Sequence, residues 1–303
     1  MIPRKIIVID DDKQQAEALA KIIQKSVLYS DVKPIWDEEA ILSTIEDRFY
    51  TLAVLDIRMD QYETDGIKIA KRIVEINPFA KILFVSAFLK EYMNDVLALM
   101  QNGNILGFSE KKEYELWKSE LQELIVNYYE DLDKNPQKIT SALLQSYADL
   151  KDEEDTYIKG MKFENFVTLL FRSIGFTEIL KRVKDKSGNE TDLIIRNDID
   201  DVFLSKFGKY ILIECKNKPD SKIDKNDFIL FNTKLKNTNG LAEIGFLIST
   251  SAFTRTAYLE AIRGSEGNQK IIFIDNALLL RLIQAENMLD ELKHIIDSQV
   301  KDN

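Results

Sequence analysis

The sequence predicts an α/β chain of two domains, the first a doubly wound parallel sheet and the second an α/β core flanked by helices. Three observations carry this. Short apolar runs alternate with helical spacing through the first 127 residues, and each run closes on a polar residue. A charged stretch at 149–160 then interrupts the pattern. After it, new strand-like runs appear, one of which, Ile211-Leu212-Ile213-Glu214-Cys215-Lys216, ends in charge. A length of 303 residues suits two domains.

In the first domain, residues 5–9 read as a strand ending in Asp10-Asp11-Asp12, and 13–27 as a helix through Ala16, Leu19, Ile22 and Ile23. Residues 50–55 form the next apolar run, ending at Asp56. A helix over 66–76, a strand over 81–85 ending in Ser86-Ala87, and a short strand over 105–108 followed by Lys111 complete it. Repeated βα units imply a parallel sheet, in which sites lie at the carboxyl ends of the strands. Residues 113–150 read as helical, broken near Asn135-Pro136.

The second domain opens with a helix carrying Phe163, Phe166, Val167, Leu170, Phe171 and Ile174. Strands follow at 192–196, 211–216, 245–248 and 271–274, with a helical stretch at 223–237, a helix after Thr254 and closing helices. The expected boundaries are 1–127 for the first domain, 128–157 for a helical, acidic linker, and 158–303 for the second domain.

One cysteine excludes intrachain disulfides and a cysteine-based zinc cluster, in keeping with a reducing cytoplasm. One histidine, His294, in a terminal helical pattern, argues against histidine-centred catalysis. No apolar run reaches the roughly 20 residues of a membrane span, and Met1 to Lys5 run directly into a strand, so neither an anchor nor a leader is expected. The net charge of −10 is uneven: residues 1–130 carry 16 basic and 23 acidic side chains, and 161–303 carry 21 of each. Basic residues predominate within 181–236, so a local face for a polyanion is compatible with an acidic chain.

Asp10, Asp11 and Asp56, at neighbouring strand ends, would repel one another without a cation. Oxygen-only ligands suit Mg²⁺, leaving Asp56 as a nucleophile toward a phosphoryl group whose oxygens Ser86 and Lys111 would bind. The segments Val8-Ile9-Asp10-Asp11-Asp12, Val54-Leu55-Asp56-Ile57-Arg58-Met59, Val85-Ser86-Ala87 and Gly107-Phe108-Ser109-Glu110-Lys111 resemble the receiver domain of two-component response regulators, over about residues 3–127. The resemblance implies a flavodoxin-like fold and Asp56 as phosphoacceptor, served by a cognate histidine kinase or another phosphodonor. It also implies Mg²⁺ held by Asp10, Asp11, Asp56 and the carbonyl of Arg58, Ser86 as switch hydroxyl, Phe108 as rotating aromatic and Lys111 as phosphate-binding amine. Two departures stand out: Lys112 replaces the proline that often follows the lysine, and the loop 60–66 is unusually acidic.

Along a strand, Glu214 and Lys216 share one face and Cys215 takes the other. With Asp192 on a nearby strand, two acids and a lysine fit a one- or two-metal phosphodiester hydrolysis site. Lys216 would orient or deprotonate the attacking water, the latter requiring a depressed pKa. The spacing Asp192…Glu214-Cys215-Lys216 resembles the PD-(D/E)xK nuclease pattern. Its setting, from Phe163-Glu164-Asn165-Phe166 through Glu190-Thr191-Asp192-Leu193 to residues 245–254, is similar to the Mrr-like restriction endonuclease catalytic domain. The resemblance implies DNA cleavage, with Mg²⁺ (or Mn²⁺) held by Asp192, Glu214 and the carbonyl of Cys215, and Glu164 as an accessory acid.

Blander readings stand beside these. Glu214 and Lys216 fit a simple ion pair, Glu164 a solvated helix residue, Cys215 a small core hydrophobe, and Thr254 a helix cap. The run Lys181, Arg182, Lys184, Lys186 suits a phosphate-contacting loop or a solvated surface. The leading expectation is a phosphorylation-regulated, Mg²⁺-dependent DNA endonuclease, by analogy acting against foreign DNA or in repair, and working as a homodimer so that two sites meet one duplex. Helices within 113–150 would transmit the switch. The competing expectation is a regulated, non-cleaving DNA-binding or scaffold module with a degenerate nuclease fold.

Overall fold

The computed structural model describes residues 4–87, 89–100, 103–111, 114–150, 152–184, 188, 190–263 and 269–301. The chain divides between Ile139 and Thr140 into two units.

The first unit contains β1 (Arg4–Ile9), α1 (Lys13–Ser26), β2 (Ser30–Ile35), α2 (Glu38–Asp47), β3 (Leu52–Leu55), α3 (Gly66–Ile76), β4 (Lys81–Ser86), α4 (Met93–Met100), β5 (Ile105–Glu110) and α5 (Tyr114–Lys134). Its sheet has the order β2-β1-β3-β4-β5, and every pair is parallel. Ile6, Val8, Leu52, Val54, Leu83 and Val85 pack with Leu19, Ile22 and Ile23 of α1 and Leu121 and Ile125 of α5. Sheets covered on both faces read as continuous apolar runs, which is why β1, β3 and β4 were legible. Sequence reading left residues 28–49 unassigned, although they hold β2 and α2. β2 has the sequence SDVKPI, mixed in polarity and interrupted by Pro34, as an edge strand tolerates.

α6 (Pro136–Asp149) opens on the proline that breaks the helical stretch. Residues 128–157, expected as a linker, hold the C-terminal part of α5, all of α6 and the first residues of α7 (Thr156–Ile174). Thus the charged stretch 149–160 is not connector throughout. Asp155 caps α7 by accepting from the Tyr157 and Ile158 amides, so the helix begins inside that stretch.

The second unit continues with β6 (Ile179–Lys184), β7 (Glu190–Arg196), β8 (Tyr210–Lys216), α8 (Lys225–Lys236), β9 (Ala242–Ser249), α9 (Arg255–Arg263), β10 (Lys270–Ile274), α10 (Asn276–Gln284) and α11 (Met288–Lys301). The sheet order is β10-β9-β8-β7-β6. The β6–β7 and β7–β8 pairs are antiparallel, whereas β8–β9 and β9–β10 are parallel. The six aromatic and aliphatic residues picked out on α7 are all buried. β6 corrects an expectation, because Lys181, Arg182 and Lys184 belong to a strand rather than a loop; Lys186 lies outside the described residues.

Aspartates cap α1, α2, α3, α7, α8 and α10, each side chain accepting from first-turn amides. Part of the chain's acidity is therefore spent on helix starts, where the dipole favours it. Among the described residues, no helix is long and apolar enough to cross a membrane.

Candidate functional site

In the first unit, β1 delivers Asp10, β3 delivers Asp56 and β5 delivers Lys111 to one end of the sheet. The Lys111 ammonium lies 3.0 Å from Asp10 Oδ2 and 2.6 Å from Asp56 Oδ2, and it also donates to Gln15 Oε1 at 2.7 Å. Asp10 is buried, and burial raises its pKa against the opposing pull of Lys111. Burial also disfavours the Lys111 charge, but Asp56 and Asp10 outweigh it and the pKa is raised. Asp56 Oδ1 accepts from the Arg58 amide at 3.3 Å, and Asp11 Oδ2 from the Gln61 amide at 3.1 Å. The Arg58 side chain points away, pairing with Asp60 at 2.7 Å. Ser86 is fully buried at the end of β4, its carbonyl accepting from the Lys111 amide at 3.3 Å. Phe108 is half-buried on β5, in register with Phe84.

The second unit brings its expected residues together by strand register. The β7–β8 ladder ends at the Leu193–Ile213 pair, so Asp192 and Glu214 lie just beyond its last rung on adjacent strands. Asp192 Oδ2 accepts from the Cys215 amide at 2.7 Å. Burial, then the charge of Glu214, push the Asp192 pKa up to about 7. The Lys216 ammonium reaches Glu214 Oε1 at 3.0 Å and Asp227 Oδ1 at 3.7 Å. Burial opposes its charge, yet Glu214, Asp192 and Asp227 prevail and raise its pKa. In this arrangement the ammonium form of Lys216 is favoured, which suits it to holding negative charge. The expected ion pair exists along one strand, with Glu214 buried and Lys216 half-buried.

Glu164 is not a solvated helix residue. It is buried on α7 and accepts from Arg182 Nε at 2.9 Å. Arg182 occupies the left-handed region at φ 50° in the middle of β6, where the ladder skips from Lys181–Leu193 to Val183–Thr191. Its guanidinium also lies over the Tyr157 ring at 5.2 Å, while Lys181 donates to Asn165 at 2.7 Å. The basic run thus turns partly inward. Burial raises the Glu164 pKa and Arg182 counters it. Arg182→Met should destabilise the fold by about 3 kcal/mol, since it leaves a buried carboxylate unpaired. Chemical denaturation should show that loss shrinking as pH falls and Glu164 protonates. It should also show Glu164→Gln in the same chain recovering most of it; a loss indifferent to both would mean the pair is not what matters.

Cys215 is half-buried, and burial with the charges of Asp192, Glu164 and Glu214 pushes its thiol well above the usual range. Burial first, and the acidic surroundings second, disfavour its thiolate. Thr254 caps α9, accepting from the Ala257 amide at 3.3 Å. Ser251 donates to the Ser221 carbonyl and Thr250 to Asn217 Oδ1. Thr250 and Ser251 line a 440 Å³ cavity with Lys222 and Asn276, and neither Asp192 nor Glu214 is among its lining residues.

Sequence reasoning missed Lys234, which donates to Glu214 Oε2 at 2.7 Å. A faint signal exists: Phe228, Phe231 and Leu235 form the buried stripe of α8, and Lys234 flanks it. Asp192 and Glu214 offer hard carboxylate oxygens, and the raised Asp192 pKa marks negative charge that a divalent cation would relieve, so the donors suit such an ion. Asp10 and Asp56 likewise offer hard carboxylate oxygens. Among the described residues, no group of three or more His, Cys, Asp and Glu side chains converges as a ready metal cluster.

Residues 6–112 match the family described as response regulator receiver domain, and residues 156–283 match Mrr_cat, described as restriction endonuclease. The response regulator receiver protein CpdR of Brucella abortus (strain 2308) is 28% identical over 91 residues, which is 30% of this chain and 72% of that protein. Solved structures include a CheY-like receiver domain protein from Methanospirillum hungatei JF-1, at 18% identity, covering 45% of this chain and 98% of that one, TM-score 0.35. Another is the Thermotoga maritima response regulator TrrA in complex with Mg²⁺-BeF, at 22% identity, covering 40% and 98%, TM-score 0.33. The chain thus joins a response regulator receiver domain to a restriction endonuclease domain of the Mrr_cat family.

Proposed function

We propose that this protein is a Mg²⁺-dependent DNA endonuclease of the PD-(D/E)xK type whose activity is set by phosphorylation of Asp56. A receiver and a nuclease domain in one chain support a regulated nuclease in general. The finer reading is carried by one observation: Asp192, on β7, accepts from the Cys215 amide of β8 at 2.7 Å, next to Glu214, which Lys216 meets at 3.0 Å.

Asp192, Glu214 and the Cys215 carbonyl would hold the cation, Mn²⁺ being an alternative. Bound there, it would lower the pKa of a water and neutralise phosphate charge. Lys216 contributes a fixed positive charge for the developing charge on the phosphate oxygens. Glu164, held by Arg182, adds negative potential behind Asp192. In the receiver, Asp10, Asp11, Asp56 and the Arg58 carbonyl would hold a second cation. An Asp56 carboxylate oxygen forms the new bond to phosphorus as the donor, a histidine kinase or a small phosphodonor, departs. Lys111 then exchanges its carboxylate partners for a phosphoryl oxygen, and Ser86 and Phe108 rearrange around it. Residues 128–157 serve as the connecting segment, homodimerisation brings two sites to one duplex, and defence against foreign DNA is the role in keeping with this pairing.

The test is plasmid cleavage in Mg²⁺ or Mn²⁺, with and without beryllofluoride as phosphoryl mimic. Wild-type protein should cut, Asp192→Ala should bind DNA without cutting, and beryllofluoride should change the wild-type rate but not that of Asp56→Asn. Salt-sensitive DNA binding with no cleavage under any of these conditions would leave the non-cleaving, regulated DNA-binding module as the correct reading.

A further inference from the structure

We infer that Lys234 is a positioning residue of the nuclease site, fixing the plane of the Glu214 carboxylate beside Asp192; this rests on the nuclease reading above. Glu214 is 5% exposed, and each of its oxygens meets a different ammonium: Oε1 meets Lys216 at 3.0 Å and Oε2 meets Lys234 at 2.7 Å. A carboxylate held at one oxygen still turns about its last torsion, whereas one held at both does not. The two lysines approach from different elements. Lys216 lies two residues along the same strand and divides its charge with Asp227, which in turn pairs with Lys218 at 3.1 Å. Lys234 comes from α8, whose Phe228, Phe231 and Leu235 are buried and whose start is capped by Asp224. Helix packing therefore sets where the Lys234 ammonium stands, independently of the β8 backbone. Partners that orient a metal-binding side chain typically matter 10- to 100-fold in metal affinity or activity.

The experiment uses the full chain with Lys234→Met, which keeps the stem and removes the ammonium, and Lys234→Arg, which restores a cationic donor. Mn²⁺ binding is read by titration calorimetry in full chains, with and without the Lys234 change, that also carry Asp10→Asn and Asp11→Asn to silence the receiver carboxylates, and cleavage by kcat and KM over a salt series. Lys234→Met should weaken Mn²⁺ binding about 10-fold and lower kcat with little change in KM, and Lys234→Arg should recover most of both. Unchanged or tighter Mn²⁺ binding in Lys234→Met would reduce Lys234 to a counter-charge and overturn the inference. So would a raised KM with a shallower salt dependence, the mark of a lysine contacting DNA phosphate. If wild-type protein neither binds Mn²⁺ nor cuts, the nuclease reading itself fails; if it does both and Lys234→Met matches it, only the positioning role fails. Thermal unfolding of both variants separates these outcomes from loss of the fold.

Discussion

Asp192→Asn should make the metal-free protein more stable at pH 8 while abolishing cleavage. Burial, then the Glu214 charge, hold the Asp192 pKa at about 7, against an ordinary value of 3.8. An acid whose pKa is raised by folding contributes stability below its unfolded pKa, and that contribution is lost as pH climbs through the folded value. For Asp192 the window runs from about pH 4 to about pH 7, and at about 1.4 kcal/mol per pKa unit the loss is of order 4 kcal/mol. Asparagine removes the charge yet keeps an oxygen for the Cys215 amide that Asp192 accepts at 2.7 Å. Melting in EDTA should therefore place the variant roughly 8 °C above wild type at pH 8 and close to it at pH 4. Adding Mg²⁺ should reverse the order, because the cation stabilises only the chain that binds it. A variant that melts at or below wild type at pH 8 in EDTA would show that the Asp192 charge carries no penalty.

Gly66→Ala should destabilise the receiver domain by about 3 kcal/mol and impair phosphoryl transfer to Asp56. A Cβ at position 66 would lie 2.0 Å from the Asp56 carbonyl oxygen, 2.8 Å from Ile57 Cα and 2.9 Å from the Asp56 carbonyl carbon. All three are backbone atoms, so no side chain swings away to relieve the contact. Retreat of the helix is opposed by the Gly66 amide, which donates to the Ile57 carbonyl at 2.9 Å, and by Asp65, which caps Lys68. It is also opposed by the buried Ile67, Ile69, Ala70, Ile73 and Ile76. The strain falls on the segment carrying Asp56 and Arg58. Urea denaturation measures the first effect, and uptake of phosphate from acetyl phosphate the second. A stability loss below about 0.5 kcal/mol would mean that this close approach is not maintained in solution.

Legibility followed burial. β1, β3 and β4 are apolar on both faces, and their polar ends named Asp10, Asp56 and Ser86 directly. β2 and β6 stayed hidden because edge strands carry mixed polarity; SDVKPI and ILKRVK show no apolar run. Missing β6 had a functional cost, since it turned Arg182 and Lys181 into surface charges when they face Glu164 and Asn165.

The sequence by itself determined the two-domain α/β organisation, the strand ends on which acids and lysines sit, and the pairing of Glu214 with Lys216, because local periodicity and i, i+2 alternation are encoded within a few residues. Only the tertiary structure decided which charges meet across elements: Lys111 between Asp10 and Asp56, Asp192 beside Glu214, Arg182 on Glu164, and Lys234 on the second oxygen of Glu214. Those pairings depend on strand register and helix docking over separations of 18 to 101 residues, and no local pattern carries that information.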